Sequence, residues 1–158
     1  GEKYLKRVRA TLILLFLLLH DSGCKVSTRK KMELEIIKIE PTRVTPRVLF
    51  LEGHIELRGR SISENSTDFY KPLAAWVDSY VEKTEVRTRV IFAFDFINTA
   101  STKWIYSIVK RLALYPNVRE LVSIDWYYEK GDDDQYELGQ IIHSFIDCPF
   151  IFYETEQT

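Results

Sequence analysis

Hydrophobic residues recur with two different periods along residues 32–158, which predicts a domain of alternating strands and helices. Short apolar runs bounded by Pro or Gly predict three strands near the start of this region, at residues 33–41, 48–51 and 55–57. The second and third of these runs flank Glu52-Gly53, a sequence typical of a tight turn. The pattern therefore predicts one strand followed by a hairpin.

The period then changes to three and four residues, which predicts an amphipathic helix within residues 61–83. The apolar face of this helix consists of Phe69, Leu73, Trp76, Val77 and Tyr80. Ser66 or Thr67 can cap it, because a hydroxyl oxygen accepts a backbone N–H of the first turn. Pro72 is tolerable only within about the first turn, where its missing N–H costs no hydrogen bond.

Three more strands and two more helices alternate along the rest of the chain. The strands are predicted at residues 86–98, 118–128 and 149–154, and the helices at residues 99–116 and 131–147. The predicted core positions of the two helices are Ile105, Ile108, Val109, Leu112, Tyr136, Leu138, Ile141, Ile142 and Phe145. Toward the end of the strand at residues 86–98, the positions that face each side of the sheet are both apolar. We therefore expect this strand to be central and buried on both faces. This order implies an α/β fold with a mixed, mostly parallel sheet flanked by helices.

Composition indicates one globular domain with an uneven distribution of charge. The chain has 158 residues, of which 46% are hydrophobic and 28% charged, values typical of a single folded domain. Residues 1–31 carry eight Lys/Arg and two Asp/Glu, whereas residues 32–158 carry the remaining 14 basic and 21 acidic residues. The domain is acidic, so we expect no nucleic-acid partner, because such binding relies on basic contacts to phosphates.

Residues 1–31 combine a basic start with an apolar run of about ten residues, which is too short to span a bilayer. This pattern resembles a secretory signal, and Cys24 lies at a faint match to a lipoprotein cleavage site. Met32 is the only methionine. We therefore expect the natural protein to begin at Met32, with residues 1–31 an upstream segment outside the domain at residues 32–158; a signal or membrane anchor is the alternative.

Motifs typical of enzymes are absent from the sequence, which has no glycine-rich phosphate loop, HExxH or GxSxG. Cys24 and Cys148 cannot form a disulfide framework, and Cys148 is expected to be a small buried residue. Asp132, Asp133 and Asp134 could suggest a cation site, but acidic residues in a first helical turn also offset the helix dipole. The sequence thus contains no evident catalytic set, metal site or cofactor site.

The junction between the strand at residues 86–98 and the next helix carries the most suggestive chemistry. Its polar residues are Asn98, Thr99, Ser101, Thr102 and Lys103. Asn98 or Thr99 could simply cap the helix. A phosphoryl group on one of the three hydroxyls would also be accommodated, because helix N-terminal N–H groups attract anions and Lys103 could pair with it. The residues alone leave both roles open and do not choose among the hydroxyls.

Several blocks of the sequence, in order, resemble the SiaC family of bacterial regulatory phosphoproteins. The resemblance runs from about Ile39 to Glu154. Its most specific blocks are Thr45-Pro46, Gly59-Arg60-Ser61, Glu64-Asn65, Phe69-Tyr70, Pro72, Trp76, the Asn98-Thr99 turn with Ser101 and Lys103, and Trp126-Tyr127-Tyr128. Ala100 departs from the family, where a serine is common at that position. The resemblance implies a STAS-like single domain, similar to anti-sigma-factor antagonists.

The resemblance also implies a role in signal transduction without catalysis. Members of the family are switched by a protein kinase and a phosphatase, and the unphosphorylated form activates a diguanylate cyclase that promotes cyclic-di-GMP signalling and biofilm formation. The family's phosphorylated threonine follows the asparagine of the turn, which corresponds to Thr99 here. The recognition surface around it would consist of Asn98, Ser101, Thr102 and Lys103.

Such a switch implies a cytoplasmic protein whose residues 32–158 do not contact a membrane, unless residues 1–31 anchor or export it. The resemblance implies no cofactor. The alternative function is a small nucleotide-binding protein or enzyme that uses the carboxyl edge of the sheet. A glycine-rich loop or a convergent acid–base set would mark that alternative, and the sequence has neither.

Overall fold

Six strands and four helices follow one another along residues 34–157, which the computed structural model describes together with residues 2 and 3. The strands are β1 (Ile37–Ile39), β2 (Arg47–Leu51), β3 (His54–Ser61), β4 (Thr88–Ile97), β5 (Val122–Glu129) and β6 (Phe150–Thr155). The helices are α1 (Ser66–Lys83), α2 (Thr99–Leu112), α3 (Val118–Leu121) and α4 (Asp133–His143). Apart from residues 2 and 3, the segment predicted at residues 1–31 lies outside the described residues.

The strands form one sheet in sequential order, β1-β2-β3-β4-β5-β6. The first three strands pair antiparallel and β3 to β6 pair parallel, which confirms the predicted mixed, mostly parallel sheet flanked by helices. The predicted hairpin is also confirmed, with Leu51 paired to His54 and a positive φ of 82° at Gly53 that favours glycine. The three parallel crossovers step in the same direction across the sheet. Because such crossovers are right-handed, their helices lie on one face.

The hydrophobic core lies between this face and the helices. The inner face of α2 is as predicted, and each of its four apolar residues is fully buried: Ile105, Ile108, Val109 and Leu112. Burying one such side chain stabilises the fold by about 1.5–3 kcal/mol. The prediction for α4 is confirmed in part: Ile142 is buried and Leu138 and Phe145 pack against the core, whereas Tyr136 and Ile141 are exposed. This helix packs on β5 and β6, and its buried residues Gln135, Gly139 and Ile142 form a narrow stripe.

The start of α1 differs from the prediction. The N-cap residue is Asn65, without a side-chain cap hydrogen bond, so neither Ser66 nor Thr67 is the cap. Pro72 is the seventh residue of α1 and therefore lies in its second turn, not in its first. The burial of the α1 face formed by residues such as Tyr80 outweighs the missing N–H, which costs about 3 kcal/mol in a helix interior.

The other face of the sheet is covered by long polar side chains. Glu56 is only 6% exposed and accepts hydrogen bonds from Arg47 at 3.0 Å and Arg58 at 2.5 Å, with His54 Nε2 at 2.8 Å. Burial would raise the pKa of this carboxyl, but the hydrogen bonds of His54 and Arg58 hold the pKa below its usual value. Asp125 is likewise buried and accepts a hydrogen bond from Arg89 at 2.6 Å.

Two further predictions about the strands need correction. The strand predicted at residues 86–98 is central but not buried on both faces throughout, because Asp95 and Phe96 are exposed near its carboxyl end. The strand predicted at residues 118–128 begins at Val122, since residues 118–121 form the short helix α3. Within residues 34–157, no helix is both long enough and apolar enough to cross a membrane.

Candidate functional site

The predicted junction lies at the carboxyl end of β4, where Asn98 connects the strand to α2. Asn98 Oδ1 accepts the backbone N–H of Ser101 at 2.8 Å, which makes Asn98 rather than Thr99 the N-cap. The backbone N–H of Asn98 donates to the Ser61 carbonyl at 2.9 Å, and its side-chain Nδ2 donates to the Ser63 carbonyl at 3.2 Å. The first turn of α2 is therefore fastened to the end of β3.

The three hydroxyls of this turn have different environments. Thr99 is exposed. Ser101 is 0% exposed. Thr102 is partly buried, and its Oγ1 donates to the Asn98 carbonyl at 3.0 Å. Only the Thr99 hydroxyl thus belongs to an exposed residue, so the geometry separates three groups that the sequence left equivalent.

A buried hydroxyl cluster lies beneath the turn. Ser61 Oγ and the Tyr70 hydroxyl share a hydrogen bond of 2.5 Å, which links the end of β3 to α1. Burial raises the pKa of Tyr70 to about 12, opposed in part by the neighbouring hydroxyls of Ser61 and Ser101. The Ser101 hydroxyl lies beside this pair without hydrogen-bonding geometry to any described residue. Ser101 was predicted to line the recognition surface, but its side chain faces the interior.

The first turn of α2 has no acidic residue of its own to offset the positive end of the helix dipole. Each of the other helices has an acidic residue in its first turn, at Asp68, Glu120 or Asp133, whereas α2 has none. Acidic groups at this position normally stabilise a helix. The exposed Lys103 lies one turn further along α2. This turn can therefore accept an anionic group on Thr99.

An exposed aromatic residue, which the sequence analysis does not predict, lies close to this turn in the chain. The pairing of β3 with β4 shifts register between Gly59 and Arg60, so that Gly59 pairs with Phe94 and Arg60 with Phe96. Such a bulge re-aims the side chains beyond it. Phe96 is 61% exposed, with the Arg60 guanidinium carbon 5.1 Å from its ring centroid. The sequence has no local signal for this arrangement, because a bulge depends on the partner strand.

The remaining candidates have structural roles. Asp132 caps α4 by accepting the Gln135 backbone N–H at 3.0 Å, as expected for acidic residues at a helix start. Among residues 34–157, no group of three or more His, Cys, Asp or Glu side chains is arranged to hold a metal ion. Cys148 is buried as predicted, and burial together with Asp147 raises its thiol pKa to about 11. Its side chain therefore lacks the thiolate character of a reactive cysteine.

A cleft of about 590 Å³ lies at the carboxyl ends of the parallel strands, where the alternative function would place a nucleotide. Its charged lining consists of Arg47, Arg58, Arg60, Asp95, Glu129 and Glu156. The charges of the three arginines and the three carboxylates sum to zero. In addition, Arg47 and Arg58 already form ion pairs with Glu56. This lining does not favour an anionic ligand.

Comparisons with known proteins agree with these observations. The model of the SiaC family of regulatory phosphoproteins matches residues 39–155. An uncharacterised protein of Pseudomonas aeruginosa (strain UCBPP-PA14) is 24% identical over 118 residues, which cover 73% of this chain and 92% of that protein.

Solved structures show the same fold. SiaC of Pseudomonas aeruginosa has a TM-score of 0.69 at 21% identity, covering 77% of this chain and 99% of that one. A second structure, of the diguanylate cyclase SiaD of Pseudomonas aeruginosa in complex with its activator SiaC, matches with a TM-score of 0.68 at 21% identity. That match covers 75% of this chain and 99% of the solved chain.

Proposed function

Since this chain belongs to the SiaC family of regulatory phosphoproteins, we propose that it is a non-enzymatic switch that is phosphorylated on Thr99. The observation that carries this proposal is the exposure of Thr99 at a helix N-terminus whose other two hydroxyls are buried or hydrogen-bonded. A phosphoryl group there adds about −1.5 to −2 charges at pH 7. It would face the first-turn N–H groups of α2, a turn that has no acidic residue of its own.

The proposed partners are a protein kinase and a phosphatase that act on Thr99, and a diguanylate cyclase as effector. The proposal for the effector is supported by the fold shared with Pseudomonas aeruginosa SiaC, which is the activator of SiaD in their complex. The switch would then control cyclic-di-GMP signalling and biofilm formation. It would operate in the cytoplasm, where the kinase has ATP.

The phosphorylation site is tested by incubating the purified chain with its cognate kinase and ATP, followed by mass-spectrometric mapping. We expect one phosphate, on Thr99, and none in a Thr99→Ala variant. Thr67→Ala is the matched control, since it removes an exposed hydroxyl from the first turn of α1 and should leave phosphorylation intact. Phosphate on Ser101 or Thr102 that survives the Thr99→Ala change would disprove the assignment.

The effector is tested by measuring cyclic-di-GMP production from GTP by the cognate cyclase. The unphosphorylated chain should increase the rate and the stoichiometrically phosphorylated chain should not. Equal activation by both forms would rule out a switch at this residue. Activation by neither form would rule out the cyclase as effector.

A further inference from the structure

The solvent-facing side of α2 forms a groove that begins one turn after Thr99. Its volume is about 520 Å³. We call it the α2 surface, and its residues are Lys103, Tyr106, Ser107, Lys110, Arg111 and Leu114. The three- and four-residue spacing places the side chains from Lys103 to Arg111 along one side of the helix, opposite the buried Ile105–Leu112 face, and Leu114 follows the end of α2.

The α2 surface is basic within an acidic domain. Residues 99–115 contain no Asp or Glu, although residues 32–158 contain 21 acidic and 14 basic residues. Arg111 is paired with Asp78 at 2.9 Å. Lys103 and Lys110 are exposed, and neither ammonium has a carboxylate within ion-pair distance in the part of the chain that the structure describes. Two lysines are therefore available to carboxylates of another molecule.

The aromatic ring of Tyr106 on the α2 surface is held in place beside these lysines. The ring of Tyr106 packs edge-on against Phe145, with the centroids 5.1 Å apart. The Lys110 ammonium lies 4.7 Å from the centroid of the same Phe145 ring. Leu114 is 76% exposed at the far end. Side chains ordered before binding lose less conformational entropy when a partner arrives, which is typical of the residues that dominate an interface.

We propose that the α2 surface docks an acidic amphipathic helix of the effector, an inference that rests on the proposed function. From Lys103 to Arg111 the α2 surface extends about 12 Å along the helix axis, which corresponds to about two turns of a partner helix, and Leu114 follows just beyond the end of α2. Such a helix would place an apolar stripe on Tyr106 and Leu114, and carboxylates beside Lys103 and Lys110. The charge pattern thereby defines the chemistry of the partner.

The position of Thr99 connects this surface to the switch. Thr99 and Lys103 are four residues apart on α2, the spacing at which oppositely charged side chains meet. A phosphoryl group on Thr99 would engage Lys103 and repel the carboxylates of the partner helix. Phosphorylation would therefore weaken docking even though Thr99 contributes no contact of its own to the α2 surface.

The test measures binding of the full chain to the cognate diguanylate cyclase by calorimetry at about 0.15 M salt. We expect the Lys103→Glu, Lys110→Glu double variant to bind at least about tenfold more weakly. We also expect a smaller loss in Leu114→Ala. The matched control is Lys38→Glu, Lys71→Glu, which makes the same change in net charge at two exposed lysines outside α2 and should leave the affinity within about twofold. Circular dichroism establishes that each variant is folded.

The outcomes separate this inference from the proposed function. A wild-type chain that binds the cyclase while both double variants bind with unchanged affinity overturns the docking surface and leaves the proposed function intact. An equal loss in the two double variants also overturns it, because net charge alone would then explain binding. A wild-type chain that does not bind the cyclase overturns both. Binding of a short DNA duplex that is lost in Lys103→Glu, Lys110→Glu would assign the surface to nucleic acid and overturn the inference as well.

Discussion

The side-chain oxygen of Asn98 accepts the backbone N–H of Ser101 at 2.8 Å, so the residue before the candidate phosphoacceptor is the cap of the helix that presents it. The same side chain donates to the Ser63 carbonyl at 3.2 Å. One asparagine therefore both ends β4 and fastens the first turn of α2 to the loop after β3. This arrangement holds Thr99 in a defined exposed position, which favours recognition by a modifying enzyme.

The first prediction concerns the strength of this cap. Asn98→Ala removes both hydrogen bonds and should lower the free energy of unfolding by about 1–2 kcal/mol. Asn65→Ala is the matched control, because Asn65 is the N-cap residue of α1 without a side-chain cap hydrogen bond and its amide donates only to the exposed Asp68 carboxylate. It should cost no more than about 0.5 kcal/mol. Denaturant titration measures both, and equal losses would contradict the special role of Asn98.

The second prediction concerns the helix dipole. Thr99→Asp places a negative charge on a first turn that lacks one, and should raise the free energy of unfolding by about 0.3–1 kcal/mol at low ionic strength. The gain should disappear in about 1 M salt, where charges are screened within about 3 Å. Thr67→Asp is the control, since α1 already has Asp68 in its first turn. A destabilised Thr99→Asp variant would show that the turn does not accept an anion.

The third prediction concerns the stability of the domain in alkali. The pKa of Tyr70 is about 12 in the folded chain and ordinarily about 10, so the folded state keeps this proton longer than the unfolded state. The contribution of the protonated Tyr70 side chain to the free energy of unfolding is fully present below pH 10. It is lost as the pH rises toward 12. The loss should amount to about 2–3 kcal/mol.

Tyr70→Phe isolates this contribution. The variant should be less stable near neutral pH by about 1–2 kcal/mol, because Ser61 Oγ loses its hydrogen-bond partner in the interior. Its stability should then fall less than that of the wild type between pH 10 and 12. Tyr136→Phe, at a more exposed position, should keep the wild-type profile. Parallel profiles for Tyr70→Phe and the wild type would refute the burial effect.

The fourth prediction concerns the close contact between α4 and the sheet. A Cβ at Gly139 would lie 2.6 Å from Trp126 Cδ1 and 2.7 Å from Phe152 Cε1. Gly139→Ala should therefore lower the free energy of unfolding by about 1–3 kcal/mol, in spite of the better helix propensity of alanine. Gln140→Ala, at the next and exposed position, should be close to neutral. A more stable Gly139→Ala variant would mean that the rings move aside freely.

Most elements of the fold could be predicted from the sequence, because their signals are local. The inner face of α2 from Ile105 to Leu112 follows a three- and four-residue spacing that any single helix must bury on one side. The hairpin around Gly53 follows from a turn sequence between two apolar runs. The position of the β4–α2 junction follows from the change of period at Asn98.

Features that depend on contacts between distant parts of the chain could not be predicted in this way. Pro72 lies in the second turn of α1 because the tertiary burial of that helix outweighs a local penalty. Phe96 is exposed because a bulge against β3 re-aims it, although its apolar neighbours in sequence predicted burial. Tyr136 and Ile141 are exposed because the stripe of α4 that is buried against the sheet consists of Gln135, Gly139 and Ile142.

The site itself shows the same division. Sequence alone determined that a polar turn with three hydroxyls joins β4 to α2, since cap chemistry and periodicity are properties of neighbouring residues. Only the tertiary structure decided which hydroxyl is accessible. Ser101 is buried beside Tyr70, Thr102 donates to the Asn98 carbonyl, and Thr99 remains exposed. The physical reason is that accessibility depends on what packs against a residue, and β3 and α1, which provide that packing, are distant in the chain.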